Sequence, residues 1–212
     1  PSEGNFNLAT PAGGYLWVAS ARREFEVGSA TLQTTLQHWT GAALFELHVS
    51  DLLNNQLPSH FDYTSDYDLL VFRRLAAGAG TSAMFIDDST GTLASARTAI
   101  DAIDTSPVGF AVFDRVLLTV HPTDCQVREY FSTRLAQQAQ PAETRAGARL
   151  PTSPADLMLR MVNHMVDSYL ELRRLLTRQF AYLQQELFRP SSNFRNWQLL
   201  LDSRNALHLL ED

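Results

Sequence analysis

The stretch from Ser153 to Pro190 reads as one helix of more than thirty residues, and nothing else in this chain limits its architecture so strongly. At ~1.5 Å per residue such a helix is roughly 50 Å long. That is longer than a compact domain built from 212 residues is wide. Such a helix has to run along something or lead somewhere. Its borders are clear in the sequence. Ser153 suits the N-cap, Pro154 suits the first helical position, and Asp156 sets a carboxylate near the positive end of the helix dipole. Pro190 stops the helix, and Ser191 or Ser192 suits the cap of a second one. An apolar stripe runs through Met158, Val162, Met165, Tyr169, Leu172, Leu176, Phe180, Leu183 and Leu187. Its mean spacing is about 3.6 residues, the period of a straight helix rather than of a supercoil. One face is therefore expected to be buried. Phe194, Trp197, Leu200, Leu201, Leu207 and Leu210 lie on the second helix, which suits an antiparallel hairpin with the first.

The preceding residues mix strand and helix signals, so the chain divides into an α/β domain over 1–150 and a helical part over 151–212. Tyr15–Ser20 is a strand candidate, and Leu32, Leu36 and Trp39 share a helix face. The segment "FELHVSDLLNN" suits a short helix and "DYDLLVFRRLA" a strand. A loop rich in Gly, Ser, Thr and Asp follows, with a short strand candidate at Ala83–Ile86. Phe110, Val112, Val116, Leu118 and Val120 flank the polar pair Asp114-Arg115, the pattern of a hairpin with a two-residue turn. Val127, Phe131 and Leu135 then mark an amphipathic helix, and residues 137–151 read as a linker.

Composition excludes several classes. A net charge of −6 argues against non-specific nucleic-acid binding, which needs clustered positive charge. The single cysteine, Cys125, allows no internal disulfide and no cysteine zinc cage. No apolar run reaches the ~18 residues of a membrane span. The chain starts at Pro1 and stops inside a helical pattern, so a piece of a longer protein is expected.

No nucleophile elbow, P-loop or dinucleotide fingerprint is present, and an enzyme is not expected. His48 and Asp51, and likewise His164 and Asp167, stand at i, i+3 and can share a helix face toward a metal. Neither pair has further ligands nearby in the sequence, so a structural role is the better reading of both. His121 is expected to end a strand, with Cys125 packed beside it. The segments "HFDYTSDYD" and "IDDSTG" carry carboxylates among hydroxyls, a donor set suited to a hard cation such as Mg²⁺. Asp87 and Asp88 would form half of such a site; the alternative is that they are solvated loop charges.

Three blocks in fixed order resemble the N-terminal cytoplasmic part of the CorA family of divalent-cation transporters. They are "LHVSDLLNNQLPSHFDYTSDYDLLVFRRL", then "PVGFAVFDRVLLTVHP" with "VREYFSTRL", then "SPADLMLRMVNHMVDSYLELRRLL" with its Val166-Asp167-Ser168-Tyr169. Together they cover about residues 15–75 and 107–212. The chain departs from the family where Val49 replaces a proline and where Leu57-Pro58-Ser59 replaces Arg-Pro-Lys. The resemblance implies an α/β/α funnel domain, a mixed β-sheet between helices, with a long stalk-type helical hairpin. It implies a homopentamer in a bacterial inner membrane, this domain on the cytoplasmic side, and transmembrane helices with a Gly-Met-Asn pore motif beyond Asp212. Mg²⁺ is the first expectation for the ion, with Co²⁺, Ni²⁺ or Zn²⁺ as alternatives. Carboxylates between neighbouring funnel domains would bind the regulatory ion. Asp87 or Asp88 maps onto one of them, and its stalk partner would lie beyond Asp212. The competing reading is a soluble α/β domain whose helical hairpin binds another protein.

Overall fold

The computed structural model describes residues 14–75, 105–138 and 149–188, together with Trp197, Leu201, Arg204 and Asn205. The strand candidate at Ala83–Ile86, most of the 137–151 linker and the pairing of the second helix lie outside the described residues. So do Asp87 and Asp88. The chain divides into two compact units. One comprises Pro1–Arg73 with Pro107–Asn163, the other Arg74–Ser106 with His164–Asp212.

The described elements are β1 (Leu16–Ala21), α1 (Arg22–Thr40), α2 (Glu46–Leu53), β2 (His60–Tyr63) and β3 (Asp68–Leu75), then β4 (Thr105–Val112), β5 (Val116–His121), α3 (Gln126–Gln138) and α4 (Pro154–Phe188). The strands form one mixed sheet in the order β1-β5-β4-β3-β2. β1 runs parallel to β5, with Leu16 opposite Val116 and Ala21 opposite His121. The β2–β3 and β4–β5 pairs are antiparallel. The hairpin expected around Asp114-Arg115 is present: the Phe113 N–H donates to the Val116 carbonyl at 2.9 Å. No described non-glycine residue has a positive φ, so this is not a primed turn.

Alternation along the strands sends side chains to two faces. On one face Leu69, Ala111, Val116, Leu118 and Val120 pack with Phe25, Leu32 and Leu36 of α1 and Leu52 of α2. Arg22 ties these helices to the sheet. Its Nε donates to the Leu52 carbonyl at 3.3 Å and its Nη2 to the Pro107 carbonyl at 2.7 Å. Helix α1 starts seven residues before the segment whose periodicity is legible, because Gly28 and the charged run from Arg22 to Glu26 mask its first turns. Packing of Phe25 and the Glu24 carboxylate, which accepts from the Ala21 N–H at 3.4 Å, supply what propensity withholds. Gly41 ends the helix with φ 82°, a left-handed conformation that lets its N–H reach the Gln37 carbonyl at 3.0 Å.

On the opposite face Phe110 and Leu117 are fully buried, and the Trp17 indole N–H donates to Thr119 Oγ1 at 3.0 Å. The first turns of α4 lie on this side. Tyr15, on the same face at the head of β1, has its hydroxyl pushed above the usual range by burial and then by the Asp156 carboxylate, against the opposing pull of Arg160. Helices on both faces make the α/β/α sandwich expected from the sequence.

The start of α4 is capped as its sequence requires. The Asp156 N–H donates to Ser153 Oγ at 3.1 Å, and Asp156 Oδ2 accepts from the Thr152 N–H at 2.9 Å. Arg160 closes on the same carboxylate through Nε at 2.9 Å and Nη2 at 3.1 Å. The buried stripe, however, begins one residue earlier than its periodicity suggests. Pro154, Leu157, Met161 and Met165 are buried, whereas Met158 and Val162 are only half-buried. Apolar residues stand at both 157/158 and 161/162, so spacing alone selects neither line; the sheet surface does.

Candidate functional site

Among the described residues a buried polar cluster sits where α2 meets the β2–β3 hairpin. Three segments build it. Helix α2 carries His48 and Asp51, the edge strand β2 carries His60 and Asp62, and the turn before β3 carries Tyr67. His48 is 3% exposed, and both its ring nitrogens have partners. Nδ1 lies 2.7 Å from the Tyr67 hydroxyl and Nε2 lies 3.1 Å from Asp62 Oδ2. The tautomer that satisfies every group has the Tyr67 O–H donating to Nδ1 and the Nε2–H donating to Asp62. The Tyr67 oxygen in turn accepts from the Phe45 N–H at 2.9 Å, at the N-cap of α2. Phe45, His48, Tyr67 and Phe113 line up as an aromatic series, with centroid separations between 4.9 and 6.0 Å.

The electrostatics follow from these contacts. The His48 hydrogen bond first, and the Tyr63 N–H second, hold the Asp62 carboxyl below its usual 3.8. Burial raises the Tyr67 hydroxyl above its ordinary value of 10.0, and nearby Asp62 and Asp66 push the same way against the Phe45 N–H. A folded-state value below the unfolded one means that the Asp62 contribution is fully present above about pH 3.8 and is lost as pH falls through the lower folded value. Asp62→Asn should therefore remove part of the acid-side loss of stability. Chemical denaturation of both proteins from about pH 5 down to pH 2 checks this; identical pH slopes would refute it.

This cluster decides the first candidate pair. His48 and Asp51 do not converge on one point. Asp51 instead faces His60, with Nε2 at 3.7 Å from Oδ2. The structural reading of His48 is thus the one the geometry supports, joining α2 to the sheet through two long-range hydrogen bonds. Asp62 lies within the acidic segment "HFDYTSDYD", but its direction toward His48 needs the β2–β3 register, which no sequence spacing encodes. Tyr67 carried no signal of its own. His164 and Asp167 are both exposed on α4. His121 ends β5 and Cys125 is buried, as expected, with His121 Nδ1 donating to the Pro122 carbonyl at 2.8 Å. Among the described residues no group of three or more metal-ligating side chains converges, and no helix is long and apolar enough to cross a membrane. The edge strand β2 also exposes Phe61 and Tyr63, whose rings stack at 6.3 Å.

No protein-family model matches the chain, and no curated protein sequence does. Solved structures do. The full-length CmaX protein is similar with a TM-score of 0.60 at 14% identity, over 95% of this chain and 52% of CmaX. The soluble domain of CorA from Methanocaldococcus jannaschii is similar with a TM-score of 0.49 at 13% identity, over 92% of this chain and 70% of the other. The cytoplasmic domain of ZntB from Vibrio parahaemolyticus gives 0.44 at 15% identity, over 98% and 87%. The likeness to CmaX shows a shared fold, an α/β/α domain continued by a long helix. The chain spans about half the length of CmaX.

Proposed function

We propose that this chain is the regulatory domain of a CorA-type divalent-cation transporter and has no catalytic activity of its own. The observation that carries this reading is the placement of the three CorA-like sequence blocks within one fold. The first falls on α2, β2 and β3, the second on β4, β5 and α3, and the third on the start of α4. The fold is shared with CmaX across 95% of the chain. Helix α4, at 35 residues or roughly 52 Å, supplies a lever longer than the sheet it starts from.

In this reading α4 heads for the membrane, the assembly is a homopentamer, and the domain faces the cytoplasm of a bacterium. Mg²⁺ held between subunits by Asp87 or Asp88 favours the closed arrangement. It does so only through differential affinity for that arrangement, and losing the ion frees α4 to move the gate. The site would be wet and of modest affinity, as suits Mg²⁺, which keeps several of its waters. Co²⁺, Ni²⁺ and Zn²⁺ remain alternatives for the transported ion.

Two experiments test the proposal. Two apolar runs of ~20 residues should be encoded within the next hundred or so codons downstream of Asp212, with Gly-Met-Asn or a close variant ending the first. A stop codon or a polar helix there would replace the transporter with the protein-interaction module. In the full-length protein, Asp87→Ala with Asp88→Ala should weaken inhibition of uptake by internal Mg²⁺ at least several-fold, in the range of typical coupling energies. Unchanged inhibition would remove the two aspartates from the site.

A further inference from the structure

Strand β2 ends the sheet, with β3 as its one neighbour among the described residues. The ladder fixes which of its backbone groups point away. The Thr64 N–H donates to the Tyr67 carbonyl at 2.9 Å, so Thr64 turns toward the β3 side. Antiparallel pairs alternate, so Asp62 and His60 also turn their N–H and C=O toward β3, and Phe61 and Tyr63 turn theirs to the open edge. One of these outward donors is already used, because the Tyr63 N–H donates to Asp62 Oδ1 at 2.8 Å. Phe61 is left as the residue that offers both a donor and an acceptor.

The side chains divide by the same alternation. His60 and Asp62 lie on the face of α2, where they meet Asp51 and His48. Phe61 and Tyr63 lie on the other face, 61% and 73% exposed, with their rings stacked. An open edge that carries two exposed aromatic rings and no Lys or Pro is a template for another strand.

Backbone and charge together select the strand that fits. A second copy of β2, laid antiparallel with a two-fold axis at Phe61, exchanges both free Phe61 bonds and needs nothing from the capped Tyr63 N–H. The same register sets His60 opposite the partner's Asp62, and the partner's His60 opposite Asp62, two complementary pairs between partly exposed side chains. An axis at Asp62 would need the Tyr63 N–H and would set two carboxylates face to face. We propose that β2 is a docking edge for a second copy of this chain, joining two sheets edge to edge with Phe61 on the two-fold axis. This contact stands apart from the transporter reading, whose ring would be five-fold.

The test uses the 212-residue chain in sedimentation equilibrium over a concentration series. Strand β2 is four residues long, so the contact is small. Dimer should therefore accumulate reversibly as the chain is concentrated toward about 1 mM. Phe61→Lys sets two like charges opposite each other and should weaken dimerisation about tenfold or more. Phe61 is exposed, so this variant should keep the thermal midpoint of the parent. Phe61→Cys should form a linked dimer on oxidation, since opposed residues of a hydrogen-bonded pair stand about 5.5 Å apart, within disulfide reach. Tyr63→Cys should not, because four strand positions, roughly 13 Å, separate it from its counterpart. Cys125 is buried and stays out of the reaction. The proposal is overturned if the parent chain is monomeric throughout, if Phe61→Lys associates as the parent does, or if Tyr63→Cys links as readily as Phe61→Cys. A five-chain assembly indifferent to Phe61→Lys would uphold the transporter reading and overturn this one.

Discussion

Phe110→Ala is expected to lower the free energy of unfolding by about 3–5 kcal/mol. In a chain of this size that corresponds to a fall in thermal midpoint of roughly 6–20 °C. Phe110 is fully buried near the middle of β4, a strand with neighbours on both sides. It points to the face on which α4 begins, so its ring fills the layer that joins α4 to the sheet. Truncation removes apolar area and leaves a cavity, because strands held on both sides cannot collapse inward. Phe110→Leu keeps most of the volume and should cost far less. Equilibrium denaturation of the two variants separates cavity formation from a general intolerance of change, and equal losses would refute the packing account.

The second large effect concerns a coupled pair. Gly109 follows Val108 in β4 and faces α2, and a Cβ placed there would overlap Leu52 Cδ2. Leu52 is itself buried at 2% exposure, so its terminal methyl has little room to move. Gly109→Ala should therefore cost about 1–3 kcal/mol through overpacking. Leu52→Ala alone should cost about 2–5 kcal/mol by emptying the same space. Combined, the methyl added at 109 partly fills what the shortened residue 52 vacates. The double variant should be more stable than the sum of single losses predicts, by roughly 1 kcal/mol or more. Strict additivity in a double-mutant cycle would show that α2 does not rest on Gly109.

Both predictions depend on which residues face each other, and that is where the sequence stops being informative. The hairpin around Asp114-Arg115 was legible because its signals are local: two apolar runs and a polar pair. The capping of α4 was legible for the same reason, since Ser153, Pro154 and Asp156 act within one turn. The start of α1 was not, because its first turns show no apolar period and Gly28 opposes helix locally, which the burial of Phe25 against the sheet outweighs. Nor was β2, a strand of four residues at the sheet edge, whose His60–Tyr63 run has no clean alternation of burial.

The candidate site divides in the same way. His48 was visible as a histidine on an apolar helix, and the structural role given to it holds. Its partners Asp62 and Tyr67 lie fourteen and nineteen residues away and meet it only because β2 folds back on β3. The buried Arg74 guanidinium gave no signal at all in "VFRRL", where it reads as one of two adjacent cations. Alternation separates the two: Arg73 Nη1 reaches the Leu57 carbonyl at 3.1 Å, while Arg74 enters the opposite face.

By itself, then, the sequence determined the local elements: the caps, the turn, the two apolar stretches of the hairpin, and a helix too long for its domain. These rest on interactions within a few residues, whose geometry the backbone already sets. The tertiary structure alone decided which of two apolar lines on α4 is buried, where His48 finds its acid, and that Arg74 is enclosed. Those outcomes depend on strand register and on which surface covers which. Contacts between residues far apart in the chain set both, and no spacing along the chain records them.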